Sequence, residues 1–274
     1  MTSQSPDPGE EEPGGPGAAG GSGGALERFG RALWRRGPSA ALDAVGLDRP
    51  ETRAWALYDW ANSAFVTVIT TAVFPIYFSR VAASGMSGAE ATARYGTATT
   101  TALAVIAALA PILGALADYT AQKKRLLGGF MGLGVAATGC LFFVGTGDWL
   151  LGAVLFAAAN IGASGSFIFY DALLPHVAGK DELDRVATAG FALGYLGGGL
   201  LLAVNLAWIQ KPGWFGLAGA DPTLPSRLAF LSVALWWLGF SIPLLRRVDE
   251  PPRRLDPGED PDAVAGRDTF RGRA

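Results

Sequence analysis

The stretch VATAGFALGYLGGGLLLAVNLAWIQ, residues 186–210, contains no Asp, Glu, Lys or Arg over 25 positions. Five further stretches of 18 to 23 residues are also free of charge: 60–79, 95–117, 126–147, 149–170 and 228–245. Because a soluble domain carries about 25% charged residues, six such windows do not arise by chance. A helix needs about 20 apolar residues to cross the hydrocarbon core of a bilayer. The sequence therefore predicts six membrane-spanning helices.

The predicted fold class is all-α, an integral membrane six-helix bundle. Backbone groups in lipid must find their hydrogen-bond partners internally, and the alternation typical of barrel strands is absent. We expect a transmembrane domain at 55–246, a disordered and basic amphipathic cytoplasmic segment at 1–54, and a disordered cytoplasmic tail or linker at 247–274. Residues 26–36 suit either an amphipathic helix on the membrane surface or a short basic helix without that role. The expected spans are approximately 57–80, 96–117, 126–147, 149–170, 186–210 and 228–245.

The basic residues flanking the spans predict the orientation. Alternate sides of the predicted membrane carry fifteen and four Lys and Arg residues. The positive-inside rule places the side with fifteen in the cytoplasm, together with both termini. Arg outnumbers Lys by 18 to 4, and Ala and Gly are abundant. This composition is typical of a GC-rich genome, so we expect a multi-pass protein of a bacterial plasma membrane.

A polar stripe runs along the first span. Asp59, Asn62 and Ser63 fall at helical spacing, and Thr67 and Thr70 continue the same face. Because polar groups facing hydrocarbon are costly, the stripe is expected to face a cavity on a solute pathway. Asp59 taken alone is better explained as an N-cap, with Asn62 and Ser63 bonded to a neighbouring helix. Pro75, later in this span, predicts a kink or local weakness.

Three polar residues in other spans are further pathway candidates. Asn160 and Ser164 lie four residues apart in the fourth span, and Tyr195 lies in the fifth. Such residues either line a polar interior or form interhelical hydrogen bonds, and the sequence does not separate these alternatives.

Glycines in the fifth span predict close helix packing. Gly190, Gly194 and Gly198 recur every four residues, a spacing that lets two helix backbones approach each other.

The turn between the second and third spans carries a motif. Its residues are Gly114 and Asp118, followed by the basic run Lys123, Lys124 and Arg125. The positive-inside rule explains the basic run, but it does not explain the spacing of the Gly and the Asp.

Together these motifs resemble the major facilitator superfamily and, within it, the vacuole-effluxer (autophagy-related) branch. The resemblance rests on the turn motif and on the segments Tyr58–Ala64, Tyr170–Pro175 and Gly194–Gly198. It covers about residues 58–245. Tyr119 stands where the superfamily motif usually has Arg after the Asp.

The resemblance implies a secondary active transporter of small solutes, amino acids among them, with the turn motif as a conformational latch. Members of this family have twelve spans in two halves, and this chain would correspond to the N-terminal half. A second six-helix half, or a second copy in a homodimer, is therefore an expected partner, beside lipid and a small-molecule solute.

Other function classes fit less well. A six-helix membrane scaffold or assembly protein without transport activity is the alternative, supported by the glycine faces and the missing half. No Ser-His, paired-Asp protease or metal motif occurs within the spans, so no enzyme, metal or cofactor is expected. The basic residues follow membrane topology, so no nucleic-acid partner is expected.

Overall fold

The computed structural model describes residues 42–250, except for residues 120, 218 and 220, and excluding the side chain of Asp118. The segment 26–36, for which the sequence allows either a membrane-surface helix or a short basic helix, and the tail from residue 251 lie outside the described residues. Contacts divide the chain into residues 1–44, of which only a helical turn at 42–44 is described, and residues 45–274. The second unit contains the six long helices.

The described residues form helices and connecting loops, without a strand. The long helices are α1 (Pro50–Ala82), α2 (Gly88–Tyr119), α3 (Lys123–Cys140), α4 (Trp149–Val177), α5 (Leu183–Gln210) and α6 (Leu224–Arg247). Short 3-10 turns occur at Leu141–Phe143, Lys180–Glu182 and Pro212–Phe215. All six long helices are long and apolar enough to cross a membrane. The predicted all-α membrane bundle is confirmed.

Helix α1 begins earlier than the charge pattern suggested, at Pro50 and not near residue 57. Proline suits the first helical turn because it has no N–H to leave unpaired, and Arg49 occupies the N-cap position. Asp59 therefore lies about two and a half turns inside α1. The N-cap explanation of Asp59 is wrong, because the helix has already begun before it.

The second half of α1 departs from regular α geometry. It is π-helical at Phe65–Val73 and Phe78–Ala82, with a short α-helical segment at Phe74–Tyr77 between them. Pro75 lies in that segment. Proline has no N–H to donate, and its ring crowds the carbonyl one turn before it. The regular pattern of α-helical hydrogen bonds is therefore interrupted at Pro75. The irregularity coincides with the residue for which the sequence predicted a kink.

Aromatic rings fill the bundle where α1, α4 and α6 meet. Phe74 stacks on Phe156 with ring centroids 4.9 Å apart and meets Phe230 edge-on at 5.7 Å. All three rings are fully buried. The nearby Tyr77 hydroxyl donates a hydrogen bond to the Val144 carbonyl, at 2.6 Å. This cluster fixes α1 between its neighbours.

The chain beyond α6 folds back onto the start of α3. Val248 is only 2% exposed, and the Glu250 carboxylate accepts the backbone N–H of Lys124 at 3.0 Å. Helix α3 has no side-chain cap of its own and begins with three basic residues, which the helix dipole disfavours. Glu250 supplies both the missing acceptor and a negative charge. Val248 and Glu250 thus contact the bundle, although the sequence placed them in a disordered tail.

Candidate functional site between α1, α4 and α5

The polar stripe of α1 divides between two faces of the helix. The Ser63 hydroxyl donates to Asp59 Oδ1 at 3.0 Å, and the Thr67 hydroxyl donates to the Ser63 carbonyl at 2.8 Å. These three residues share the face that meets α5. Asp59 is 3% exposed, whereas Ser63 and Thr67 are half-buried.

The glycines of α5 lie directly against this face. A Cβ built on Gly194 would come within 2.6 Å of Ser63 Oγ and 2.9 Å of Asp59 Oδ1. A Cβ on Gly198 would meet the Thr67 hydroxyl at 2.5 Å. Separations this short do not occur between real atoms of these types, so only glycine allows the approach. The glycine spacing and the polar stripe, two separate features of the sequence, form one interface.

Trp55 continues this interface and joins α1 to α4. It occupies the space beside Gly190, where a Cβ would come within 2.7 Å of its ring. On its other side it stacks on Tyr170 with ring centroids 4.3 Å apart, and its Nε1–H donates to the Tyr170 carbonyl at 3.1 Å. The Tyr58 ring also contacts Tyr170, at 5.0 Å. Trp55 was not among the residues predicted from the sequence.

Two Tyr-Asp pairs therefore meet across α1 and α4. Tyr58 and Asp59 belong to α1, and Tyr170 and Asp171 belong to α4. The ring contacts of Tyr170 with Trp55 and Tyr58 bring the two dipeptides to the same contact between the helices. Asp171 itself is exposed. The repeated dipeptide was the sequence signal for this meeting, but its spacing of 112 residues gave no indication of contact.

Asn62 lies apart from the α5 interface. It is fully buried, and neither side-chain amide atom has a hydrogen-bond partner within the described part of the chain. The neighbouring Tyr58 hydroxyl faces Asn62, Ser166 of α4 and Trp237 of α6. Asn62 therefore belongs to a polar cluster in the bundle core, among three helices.

The remaining pathway candidates are dispersed. Thr70 is half-buried, and its carbonyl accepts the hydroxyl of Tyr95 from α2 at 3.1 Å. Asn160 is half-buried and donates within its own helix, to the Phe156 carbonyl at 2.8 Å. Ser164 is half-buried, and Tyr195 is 83% exposed on the face of α5 that points away from α1. The structure does not gather these four residues around Asp59.

The turn motif makes contacts that the sequence did not suggest. Lys123 is buried, and its ammonium group donates to Nε2 of His176, 3.1 Å away at the end of α4. The Lys124 N–H binds Glu250, whereas Arg125 is exposed. A Cβ on Gly114 would meet no atom within 4 Å, so this glycine does not mark a close helix contact.

The arrangement holds no candidate metal centre in the part of the chain that the structure describes, since no three His, Cys, Asp or Glu side chains converge there. Its chemistry is that of recognition. A buried carboxylate, a hydroxyl bonded to it and flanking aromatic rings can bind a cation or a polar solute, but they do not provide a nucleophile with its base.

Comparison with known proteins agrees with this architecture. The family described as "Vacuole effluxer Atg22 like" matches residues 89–262. The uncharacterized MFS-type transporter YxiO of Bacillus subtilis (strain 168) is 39% identical over 207 residues, which are 73% of this chain and 47% of that protein. The chain thus spans about half the length of this curated relative. No solved structure shows significant similarity to this chain. The chain belongs to the Atg22-like vacuole-effluxer family of the major facilitator superfamily.

Proposed function

We propose that this chain is one six-helix half of a secondary active transporter that moves small solutes, amino acids among them, by alternating access. The observation that carries the proposal is Asp59, a buried carboxylate inside a membrane helix of a transporter-family protein. Ionisable groups at such positions are costly, and they are kept where they serve a solute or ion pathway. Asn62, Ser63, Thr67, Thr70, Asn160, Ser164 and Tyr195 remain the proposed pathway residues with Asp59.

The close α1–α5 contact supports a rocking mechanism. In facilitators, binding occurs between two six-helix units, and one unit moves against the other as a largely rigid body. A rigid unit needs its internal helix contacts to persist through the cycle. We take the interface of Gly194 and Gly198 with Asp59, Ser63 and Thr67 to be such a contact, because the helices lie so close there that a Cβ on either glycine would clash.

The second six-helix unit is a second half or another copy of this chain. Two observations support it: the chain spans about half of its curated relative, and large apolar side chains remain exposed on α2 and α5. Those side chains meet lipid or the partner unit. They include Leu103 and Ile112 of α2, and Phe191, Leu196 and Leu200 of α5.

The proposed location is a bacterial plasma membrane, with both termini in the cytoplasm, as the distribution of Lys and Arg predicts. The turn between α2 and α3 then lies on the cytoplasmic side. There, Gly114, Asp118 and the basic residues Lys123–Arg125 would act as the conformational latch. The contacts of Lys123 with His176 and of Lys124 with Glu250 join this turn to α4 and to the segment that follows α6.

The test is amino-acid flux in proteoliposomes that contain the complete transporter, this chain with its second unit. Replacing Asn62 and Asn160 by leucine should lower flux, because both changes remove polar groups from the proposed pathway. Cys140→Ser, at an exposed position near the end of α3, is the matched control and should leave flux unchanged. Flux that persists in the doubly substituted protein would contradict the pathway assignment.

A membrane scaffold remains the second candidate. Its sequence support was the missing half and the glycine-rich face of α5, but the face of Gly190, Gly194 and Gly198 is covered by α1 of the same chain. They are therefore not available to another protein. Self-association in membranes distinguishes the candidates further, since a monomer that binds no solute would favour an inert scaffold over a transporter half.

A further inference from the structure

A second face of α1 carries polar groups into the core of the bundle, away from the contact with α5. Tyr58, Asn62 and Phe65 recur on this face at helical spacing, and each is at most 1% exposed. Asn62 lies between the two aromatic residues, one turn from each. A polar amide is therefore held inside the bundle by rings on either side.

Ring contacts show which helices enclose this face. The Tyr58 ring lies 5.0 Å from that of Tyr170 in α4, measured between ring centroids. One turn beyond Asn62, the Phe65 ring lies 5.5 Å from that of Trp237 in α6. The Asn62 side chain is therefore bordered by α4 and α6 as well as by its own helix.

These two neighbouring helices contribute polar atoms at fixed positions. Ser166 is fully buried and lies one turn before Tyr170 on α4. Its hydroxyl hydrogen is donated to the Ala163 carbonyl at 2.7 Å, so its oxygen remains free to accept. The Trp237 ring is packed beside Gly134 of α3, where there is no space for a Cβ. The direction of the Trp237 Nε1–H is therefore fixed by packing.

Four polar atoms of this cluster have no hydrogen-bond partner in the part of the chain that the structure describes. They are the Tyr58 hydroxyl, Nδ2 and Oδ1 of Asn62, and Nε1 of Trp237. The Tyr58 hydroxyl faces Asn62, Ser166 and Trp237 without bonding directly to any of them. Because buried polar atoms are nearly always paired, groups that face one another without bonding indicate a small molecule that bridges them.

We propose that Tyr58, Asn62, Ser166 and Trp237 bind ordered water in the bundle core. Water both donates and accepts, and a buried water molecule forms about three hydrogen bonds. Asn62 and Trp237 offer N–H donors, Asn62 and Ser166 offer acceptor oxygens, and the Tyr58 hydroxyl can do either. None of the four side chains is charged at neutral pH, which suits a neutral ligand and not an ion. The site belongs to this six-helix unit, and its occupancy does not depend on transport.

The experiment detects water beside single indole N–H groups by NMR, with the purified full chain in nanodiscs of deuterated lipid. Cross-relaxation with water is measured in the laboratory and rotating frames, which separates bound water from hydrogen exchange. Trp55 is the internal control, because its Nε1–H is also buried but is paired with the Tyr170 carbonyl at 3.1 Å. Trp55→Phe and Trp237→Phe assign the two signals. We expect a water cross-peak at Trp237 and none at Trp55, and its absence at both would overturn the proposal.

Variants then locate the water. Asn62→Leu should abolish the Trp237 cross-peak, because it replaces the amide with an apolar group of similar size. Ser166→Ala should weaken the same cross-peak, and it gives a second result if Asn62→Leu does not fold. Asn160→Leu is the matched control, since the Asn160 amide is half-buried and donates within α4 to the Phe156 carbonyl. A Trp237 cross-peak unchanged in both site variants would show that these residues do not hold the water.

Discussion

At the residue scale, Gly194 decides whether α1 and α5 can meet. Replacing it by alanine would place a methyl group within 2.6 Å of Ser63 Oγ and 2.9 Å of Asp59 Oδ1. Overpacking of this kind costs about 1–3 kcal/mol, so the unfolding temperature of Gly194→Ala should fall clearly. Thermal unfolding in detergent, followed by circular dichroism, measures the change.

Gly199 provides the control for that prediction. It lies on the same helix, but a Cβ there would meet no atom within 4 Å. Gly199→Ala should therefore leave stability unchanged or raise it slightly, since alanine favours helix more than glycine does. Equal losses in the two variants would show that α5 tolerates no methyl group anywhere, and would contradict a specific contact with α1.

Trp55 carries a second prediction at this scale. Trp55→Phe keeps an aromatic ring against Tyr170 but removes the buried hydrogen bond from Nε1 to the Tyr170 carbonyl. We expect a loss of about 1 kcal/mol, the usual contribution of one such bond. Trp214→Phe is the matched control, because Trp214 is 80% exposed and should change little. Chemical denaturation of both variants against the wild type provides the comparison.

For the residues of the candidate site, the sequence predicted which side chains share a helix face but not what that face contacts. Helical spacing correctly put Asp59, Ser63 and Thr67 on one face, because residues four apart lie on the same side of a helix. The partner of that face could not be derived, since Gly194 and Asp59 are 135 positions apart. Asn62 was grouped with them by spacing, yet it is buried among other helices because Tyr58, Ser166 and Trp237 surround that side of α1.

At the scale of elements, the start of α3 depends on a residue from beyond α6. The first N–H groups of a helix lack partners within the helix, and the Lys124 N–H finds Glu250. Glu250→Gln keeps the shape but loses the charge that opposes Lys123, Lys124 and Arg125. Glu250→Ala also loses the acceptor, and should cost about 1 kcal/mol.

Asp249 is the control for Glu250. It precedes Glu250 and is exposed. Asp249→Ala should leave the unfolding temperature close to that of the wild type, whereas Glu250→Ala lowers it and Glu250→Gln falls between them. Hydrogen exchange at the first turn of α3 reports the same effect locally. Unchanged exchange there in Glu250→Ala would show that the carboxylate does not cap the helix in solution.

The extents of the helices were only partly predictable. The absence of charge located every span, because burial in hydrocarbon excludes charged side chains. The charge-free stretch underestimated the length of α1, since Glu51 and Arg53 are charged yet lie within the first turn of this helix. A helix does not end where the membrane does. At Pro75 the sequence predicted a kink or local weakness but not the π-helical turns on either side. The sequence does not specify how a helix accommodates the hydrogen bond that proline cannot donate.

At the scale of the whole molecule, the six-helix count and the family followed from hydropathy and short motifs, because the bilayer imposes a simple length requirement. The meeting of α1 with both α4 and α5 did not follow, since helix neighbours depend on side-chain packing across long separations. That meeting brings the rings of Trp55 and Tyr58 against Tyr170. It also places the polar residues of α1 directly against the glycines of α5.

The proposed function depends above all on Asp59 serving transport in a unit that works with a second six-helix unit. Its decisive experiment is uptake of radiolabelled amino acids into proteoliposomes containing the complete transporter, with wild-type chain, Asp59→Asn or Asp184→Asn. We expect Asp59→Asn to lower uptake at least about tenfold and Asp184→Asn to leave it intact. Uptake by the Asp59→Asn protein at the wild-type rate would show that Asp59 does not serve transport.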